Sequence, residues 1–259
     1  MKVGLVLSGG GSRGIAHLGL IKFLEELQIP IHAISGTSSG AIAGALYSYG
    51  YAPEEILDII REIKVLKLLK PAISKTGLLR MEATESLFCN YLKDDDFASL
   101  RIPLTVTATD LCKGKSIYFT HGELVRPLMA SSCLPVIFDP IKIGDDWYVD
   151  GGILNNFPTS PLLSSCDKII GSHSNPVDET FRLGNVKTMF ERTFLLAINS
   201  NSYNSVKDCD IFLEPPGLKT VKVFDLSLAQ EIFDMGYEYA KSREKDLLAL
   251  MDHSDANAG

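Results

Sequence analysis

Cysteine, histidine and tryptophan are scarce in this sequence, which has five, five and one of them among 259 residues. The five cysteines are odd in number and widely spaced, and no two have the spacing of zinc ligands, so neither a disulfide framework nor a zinc site is predicted. Unpaired cysteines are typical of a reducing compartment, and we therefore expect a cytoplasmic protein. We expect neither a metal nor a cofactor.

Long apolar runs are also missing. The first run, at residues 2–8, meets glycines at once and is too short for a signal peptide. No run reaches the about 20 residues of a membrane-spanning helix, so no transmembrane segment is expected. Basic residues are not in excess either. The formal net charge of -7 argues against nucleic acid as a partner and gives no general attraction to anionic lipid.

The sequence does have a hydrophobic content of 46%, which is enough for one domain with a sizeable core. No linker or repeat divides it, so residues 1–251 are predicted to form a single domain, followed by a polar tail at 252–259 that we expect to be disordered. Apolar runs alternate with helical stretches, which predicts an α/β fold with a largely parallel central sheet. The predicted strands are residues 2–8, 29–34, 102–108, 146–149, 168–172 and 210–213, and a final helix is predicted over 227–250.

A serine stands between two glycines at residues 36–40, GTSSG, where an apolar strand meets a predicted helix of small residues. This is the layout of a nucleophile elbow, with Ser38 on the sharp turn and Gly36 and Gly40 beside it. The flanking glycines are needed because the backbone is strained there and the helix packs closely. The pattern predicts that Ser38 is a nucleophile at a helix N-terminus, which favours developing negative charge.

A glycine-rich loop, GGGSRG at residues 9–14, follows the first predicted strand and precedes a predicted helix. Successive backbone N–H groups in such a loop bind anions. One candidate is the phosphate of a dinucleotide, since Gly9, Gly11 and Gly14 have the required spacing. The other is the oxyanion of an acyl-transfer intermediate. A dinucleotide site needs an acidic residue at the end of the second strand, whereas this chain has Ser35 and the elbow, so the oxyanion is favoured.

A third motif, Asp150-Gly151-Gly152, ends the predicted strand at 146–149. Asp-Gly is a common turn signal, so this motif alone does not indicate catalysis.

Taken together and in this order, the three motifs resemble those of the patatin-like phospholipases, serine acyl hydrolases with a glycine-rich oxyanion loop, a G-x-S-x-G elbow and a D-G-[GA] motif. The resemblance runs from about residue 3 to about residue 170. Other matching stretches are GIAHLG at 14–19, ASSCLP at 130–135, Phe138, Pro140, Asn156 and Pro158. The fold that it implies is a three-layer sandwich, in which helices flank a central, mostly parallel sheet.

The resemblance also implies a catalytic dyad, with Ser38 as nucleophile and Asp150 as the base that takes its proton. The implied activity is release of fatty acid from phospholipid or lysophospholipid esters through an acyl-serine intermediate. Lipid is then the substrate, and peripheral contact with a membrane surface is compatible with the resemblance. The implied oxyanion-hole residues are Gly9, Gly10, Gly11, Ser12, Arg13 and Gly14, and the supporting motif residues are Gly36, Gly40, Gly151 and Gly152.

The few histidines agree with a dyad. A Ser-His-Asp hydrolase of the α/β type needs a histidine after the acid, and only His173 and His253 follow Asp150. His253 lies in the polar tail, so His173 is the one alternative base. An ordinary aspartate has a pKa near about 3.9 and is a weak base. We therefore predict that Asp150 is desolvated, hydrogen-bonded to Ser38 and raised in pKa.

Two other functions remain open at this stage. The same elbow and oxyanion loop would serve an acyltransferase, and a vestigial site would serve a non-catalytic, lipid-binding regulatory module. A separate hypothesis concerns residues 56–70, ILDIIREIKVLKLLK, which form either a basic amphipathic helix on a membrane, through Lys64, Lys67 and Lys70, or an ordinary surface helix.

Overall fold

The computed structural model describes residues 1–62, 77–79 and 82–252. The predicted segment at 56–70 is only partly included. Its start belongs to a helix at Pro53–Glu62, whereas Lys64, Lys67 and Lys70 lie outside the described residues, as does the tail at 253–259. None of the helices in the described ranges combines the length and the apolar character that a bilayer-spanning segment requires.

The elements alternate along the chain as the apolar pattern predicts. The strands are β1 Val3–Leu7, β2 Ile31–Thr37, β3 Gly77–Leu79, β4 Leu104–Asp110, β5 Lys115–Phe119, β6 Val136–Phe138, β7 Ile141–Ile143, β8 Asp146–Asp150, β9 Lys168–Ser172 and β10 Ile211–Leu213. The α-helices are α1 Ala16–Glu26, α2 Ser39–Tyr49, α3 Pro53–Glu62, α4 Glu82–Tyr91, α5 Val125–Ser131, α6 Val186–Ser202, α7 Ala229–Ser242 and α8 Glu244–Asp252. Short 3₁₀ turns at Gly11–Ile15 and Gly151–Ile153 follow β1 and β8.

The main sheet has eight strands within the described residues, in the order β10-β9-β1-β2-β4-β8-β7, with β5 also paired to β4. The run from β10 to β4 is parallel throughout, and β5, β7 and β8 add antiparallel pairs. All five residues of β1 are buried, as expected for a strand covered on both faces. The predicted α/β fold, a mostly parallel sheet flanked by helices, is confirmed.

One boundary prediction is wrong. The single helix predicted over 227–250 is two helices, because Arg243 leaves the helical conformation, at φ -106° and ψ 16°, between α7 and α8. Its N–H bonds to the carbonyl of Ala240, three residues back. Beyond this interruption Leu247 and Leu250 are buried in the main core. The apolar pattern continues through both helices and therefore does not mark the break.

Candidate active site

Two strands meet end to end where the predicted catalytic residues lie. β2 pairs in parallel with the first part of β4, up to Thr37 beside Thr107. β8 runs the opposite way and pairs with the last part of β4, so that Asp150 lies beside Ala108. Because β5 occupies the other edge of β4, β2 and β8 share one edge and their carboxyl ends converge. The turn that carries Ser38 therefore faces the end of β8.

Ser38 has the strained backbone of a nucleophile elbow, with φ 53° and ψ -123°. The neighbouring glycines allow the close packing that the turn requires. A Cβ at Gly40 would lie 2.3 Å from the carbonyl oxygen of Leu7 in β1. The hydroxyl of Ser38 donates a hydrogen bond to Asp150 Oδ2 at 2.8 Å. The contact that was predicted between these two side chains is therefore present.

Asp150 is almost fully buried, at 4% exposure. Its Oδ1 accepts the N–H of Gly152 at 2.8 Å, while Oδ2 accepts the hydroxyl of Ser38. Burial raises the pKa of Asp150 from 3.8 to about 6, and the two hydrogen bonds oppose part of that shift. The predicted desolvation and raised pKa are thus both found.

Ser131, at the end of α5, is hydrogen-bonded to the backbone of the elbow. Its Oγ accepts the backbone N–H of Ser38 at 2.8 Å, and its hydroxyl donates to the carbonyl of Thr107 at 2.7 Å. The sequence analysis included Ser131 in a matching stretch but assigned it no role. The residue is fully buried, and it links the strained turn to β4.

Removing this link should impair both folding and catalysis. We expect Ser131→Ala to lower the free energy of unfolding by about 1–3 kcal/mol, because the partly buried N–H of Ser38 loses its acceptor. We also expect a lower kcat, since the elbow is no longer fixed. Denaturant unfolding and ester-hydrolysis kinetics measure the two effects. The matched control is Ser48→Ala, because the buried hydroxyl of Ser48 has no partner among the described residues. Equal effects of the two substitutions would refute the role of Ser131.

The glycine loop offers two unengaged N–H groups. The N–H of Gly9 donates to Asn156, that of Ser12 to Val223, and that of Arg13 to Gly10. By contrast, no acceptor among the described residues takes the N–H of Gly10 or Gly11. Both of these glycines line the same pocket as Ser38. Of the six predicted oxyanion residues, Gly10 and Gly11 are therefore the candidates that remain as backbone donors, while Gly14 lies within the 3₁₀ turn.

Arg13, another of the implied oxyanion-hole residues, does not lie at the surface. Its side chain is 5% exposed, and its Nε donates to the carbonyl of Val221 at 2.8 Å. Burial lowers the pKa of Arg13 to about 10, although nearby Glu191 and Asp178 oppose that change. Arg13 does not line the pocket and instead ties the glycine loop to the segment around Val221.

The carbonyl of Gly9 is held by three side chains. Nδ2 of Asn156 donates to it at 3.3 Å, the hydroxyl of Ser174 at 3.2 Å, and Nδ2 of Asn175 at 2.5 Å. This carbonyl belongs to the same planar, trans peptide as the N–H of Gly10, so the two groups point in opposite directions. Fixing the carbonyl therefore fixes the direction of the candidate oxyanion donor. Ser174 and Asn175 were missed in the sequence, where they follow no motif.

Loss of one of these donors should affect the transition state more than substrate binding. We expect Asn175→Ala to lower kcat by about tenfold or more with little change in KM, because a misdirected oxyanion donor stabilises the developing charge less well. Asn204→Ala is the control, since among the described residues the side-chain amide of Asn204 makes only one long hydrogen bond, of 3.5 Å, to the carbonyl of Ser200 at the end of α6. A change in KM alone would contradict this role for Asn175.

The C-terminal end of α6 joins the two loops of the site. Oδ1 of Asn201 accepts the backbone N–H of Asn156 at 2.9 Å, and its Nδ2 donates to the carbonyl of Gly152 at 3.0 Å. Nδ2 of Asn199 donates to the carbonyl of Asn175 at 2.7 Å. One helix thus braces both the turn after Asp150 and the supports of the glycine loop.

Neither His173 nor His17 is hydrogen-bonded to Ser38 among the described residues. Nδ1 of His173 lies 2.7 Å from Glu214, and neither ring nitrogen is hydrogen-bonded to Ser38 or Asp150 among the described residues. The alternative of His173 as base is therefore not supported. His17 is fully buried, with Nε2 donating to the carbonyl of Ser8 and Nδ1 accepting from Ser172, and burial lowers its pKa to about 4. His17 therefore links the start of α1 to β1 and β9.

A pocket of about 310 Å³ is lined by Ser38 and Asp150. Its polar lining residues include Ser38 and Asp150, and the backbone of Gly10 and Gly11 also lines it. The rest of the lining is largely apolar, with contributions from α2, α4 and α6 and from residues 223–226. The apolar lining residues are Ile15, Leu18, Ile42, Ala43, Ile60, Leu87, Phe88, Leu134, Phe138, Phe194, Ile198, Val223, Phe224 and Leu226. Such a lining suits an aliphatic chain next to a reacting polar group.

The family model described as Patatin-like phospholipase matches residues 5–163, the part of the chain that carries all three motifs. The chain belongs to the patatin-like phospholipase family. An uncharacterized NTE family protein of Mycobacterium tuberculosis is 35% identical over 163 residues, which cover 62% of this chain and 45% of that protein. Patatin-like phospholipase domain-containing protein 6 of Homo sapiens is 26% identical over 281 residues, covering 93% of this chain and 20% of that protein. This patatin-like chain thus spans less than half the length of both curated relatives.

A solved structure shares the fold. VipD from Legionella pneumophila superposes with a TM-score of 0.63 at 14% identity, covering 93% of this chain and 66% of that chain. At this identity the likeness concerns the fold alone. The family resemblance that the three motifs predicted is confirmed.

Proposed function

We propose that this patatin-like domain is a lipid acyl hydrolase that releases fatty acid from phospholipid or lysophospholipid esters. The observation that carries the proposal is the 2.8 Å hydrogen bond from the Ser38 hydroxyl to the buried carboxylate of Asp150, in a pocket whose lining is largely apolar. Membership of the family supports lipid hydrolysis as the reaction class.

The first half of the proposed reaction forms an acyl-enzyme. Asp150 Oδ2 takes the proton of Ser38 as Oγ attacks the ester carbonyl carbon. The carbonyl oxygen becomes an oxyanion, which accepts hydrogen bonds from the N–H groups of Gly10 and Gly11. When the tetrahedral intermediate collapses, the protonated Asp150 gives its proton to the leaving alkoxide. The products of this half are the free alcohol and an ester of the fatty acid with Ser38.

The second half uses the same groups on water. Asp150, again ionised, takes a proton from a water molecule that attacks the acyl-Ser38 carbonyl. The oxyanion is held by the same two N–H groups, and collapse returns the proton to Ser38 Oγ and releases the fatty acid. An alcohol in place of the water would give acyl transfer. Hydrolase and acyltransferase activities therefore differ only in the molecule that takes the acyl group from Ser38.

The environment of Asp150 explains how a carboxylate serves as the base. With a pKa of about 6, the group is ionised at neutral pH but is a far better proton acceptor than an exposed aspartate. The direct contact with Ser38 means that no histidine has to relay the proton.

The rate should therefore follow the ionisation of Asp150. Only its charged form accepts the proton, so kcat/KM is expected to rise with pH through about 6 and to level off above it. The profile is measured as kcat/KM for a water-soluble nitrophenyl ester at a series of pH values from 4.5 to 8.5. A profile that is flat over this range, or a rise centred above neutrality, would contradict Asp150 as the base.

The activity is tested by fatty-acid release from phospholipids, lysophospholipids and short nitrophenyl esters, with the native chain and Ser38→Ala compared. We expect release from at least one lipid by the native chain and none above background by the variant. Labelling by a fluorophosphonate separates the remaining alternatives. A labelled chain that releases no fatty acid but transfers the acyl group to an added alcohol would be an acyltransferase, whereas an unlabelled chain would be a non-catalytic module.

A further inference from the structure

Helix α6 carries apolar side chains on its solvent side. Val186, Met189 and Leu196 are 77%, 46% and 45% exposed, respectively. Their spacings of three and seven residues place them on one face of the helix. Leu183 and Phe181, in the segment just before the helix, are also exposed. A surface helix ordinarily has polar residues on its outer face. Exposed apolar side chains grouped on one face therefore indicate a surface that another molecule covers.

The other side of the same helix belongs to the catalytic pocket. Phe194 and Ile198 line it, and Phe224, from a neighbouring segment of the lining, is 48% exposed. The apolar outer face of α6 is thus separated from the apolar pocket by the width of one helix. A partner that covers this face therefore lies one helix width from the pocket.

Acidic and basic residues are balanced in this part of the sequence. Residues 178–192 contain three acidic and three basic residues, Asp178, Glu179, Glu191, Arg182, Lys187 and Arg192. The whole chain has a net charge of -7. An apolar face in a locally neutral setting complements a zwitterionic surface better than an anionic one.

We infer that the outer face of α6, with residues 181–185 before it, docks on the surface of a zwitterionic phospholipid bilayer, which places the pocket one helix width from the lipid. The inference rests on the proposed function for the role of the lipid as substrate. This surface does not include residues 56–70, the segment whose lysines were considered for a membrane contact. Because the end of α6 also holds Asn199 and Asn201, the docking helix and the supports of the catalytic loops are one rigid element.

The test measures binding separately from chemistry. Co-sedimentation with phosphatidylcholine vesicles is carried out in a Ser38→Ala background, so that no lipid is consumed, with and without the triple substitution Val186→Thr, Met189→Gln and Leu196→Gln. We expect the triple substitution to lower the vesicle partition coefficient by about tenfold or more, because three apolar side chains no longer insert. Binding should change little between low and high salt, since it does not depend on charge.

Two controls keep the result interpretable. The double substitution Leu163→Gln and Leu248→Gln changes two exposed leucines that do not line the pocket, and it should leave vesicle binding unchanged. With Ser38 restored, hydrolysis of a short, water-soluble ester reports whether the triple variant keeps a folded site.

Each outcome decides a separate question. Equal vesicle binding by the triple variant and its parent would overturn the docking surface, and so would binding that collapses in high salt. A native chain that is dimeric by light scattering and becomes monomeric in the triple variant would assign the face to a second copy and also overturn the inference. Absence of fatty-acid release with normal vesicle binding would refute the proposed function while leaving the docking surface intact.

Discussion

Replacing Asp150 by asparagine is expected to lower kcat/KM for ester hydrolysis by about a hundred- to ten-thousandfold, the usual contribution of a general base. The asparagine keeps the shape of the side chain, and its oxygen still accepts the N–H of Gly152. Its amide, however, has no basic site for the proton of Ser38. Ester hydrolysis at pH 8, followed with a soluble nitrophenyl ester, measures the loss.

The same substitution is expected to stabilise the folded protein at neutral pH. The raised pKa means that folded Asp150 binds its proton more tightly than unfolded Asp150 does, so stability from this group is present at low pH and is lost as pH rises through about 6. At pH 7.5 the buried charge costs up to about 3 kcal/mol, from the shift of about two units. An uncharged asparagine avoids that cost.

Denaturant unfolding at two pH values tests the stability prediction. The gain from Asp150→Asn should be largest at pH 7.5 and about half as large at pH 5, where the folded carboxyl group is mostly protonated. Asp145→Asn, on the exposed turn between β7 and β8, should change neither activity nor stability. Lower stability of Asp150→Asn at pH 7.5 would contradict the destabilising buried charge. Activity close to that of the native chain would contradict the role of Asp150 as base.

Gly11→Ala is expected to reduce kcat by about a hundred- to a thousandfold, the effect of losing an oxyanion-hole donor. Gly11 has φ +58°, and a Cβ there would lie 2.2 Å from the carbonyl oxygen of Val223. That oxygen is backbone and also accepts the N–H of Ser12, so it cannot turn aside as a flexible side chain would. The glycine loop must move, and its free N–H groups move with it.

The matched control for this substitution is Gly114→Ala. Gly114 has φ +62°, so alanine there meets the same backbone strain, but nothing lies within 4 Å of its Cβ position. Any loss common to both variants reflects strain and stability, and the additional loss at Gly11 reflects the displaced loop. Unchanged kcat in Gly11→Ala, measured with a soluble ester, would show that the loop position is not needed for turnover.

The elements of the fold and the elbow were predictable because their signals are local. A run of apolar residues, a glycine-flanked serine and a helix of small residues occur within about 20 positions, and the glycines report the close approach that the turn demands. The strand boundaries were less visible. β2 continues to Thr37 through Ser35 and Gly36, because pairing with β1 and β4 on both sides holds polar residues in the strand.

The supports of the site were not predictable because they depend on distant parts of the chain. Ser38 and Asp150 are 112 positions apart and meet only because β8 enters the edge of β4 from the opposite direction. Asn201 reaches the site from α6, in the part of the sequence where the family resemblance has ended. Asn201 is one of several polar residues in α6 and belongs to no motif, so no sequence signal identified it.

Fluorophosphonate labelling followed by peptide mapping tests the Ser38–Asp150 dyad most directly, because it reports the nucleophile without knowledge of the substrate. The expected result is one adduct, on Ser38, formed about tenfold faster at pH 8 than at pH 5 as Asp150 ionises, and formed far more slowly in Asp150→Asn. An adduct on another residue, or labelling of Ser38 at the native rate in Asp150→Asn, would contradict the dyad.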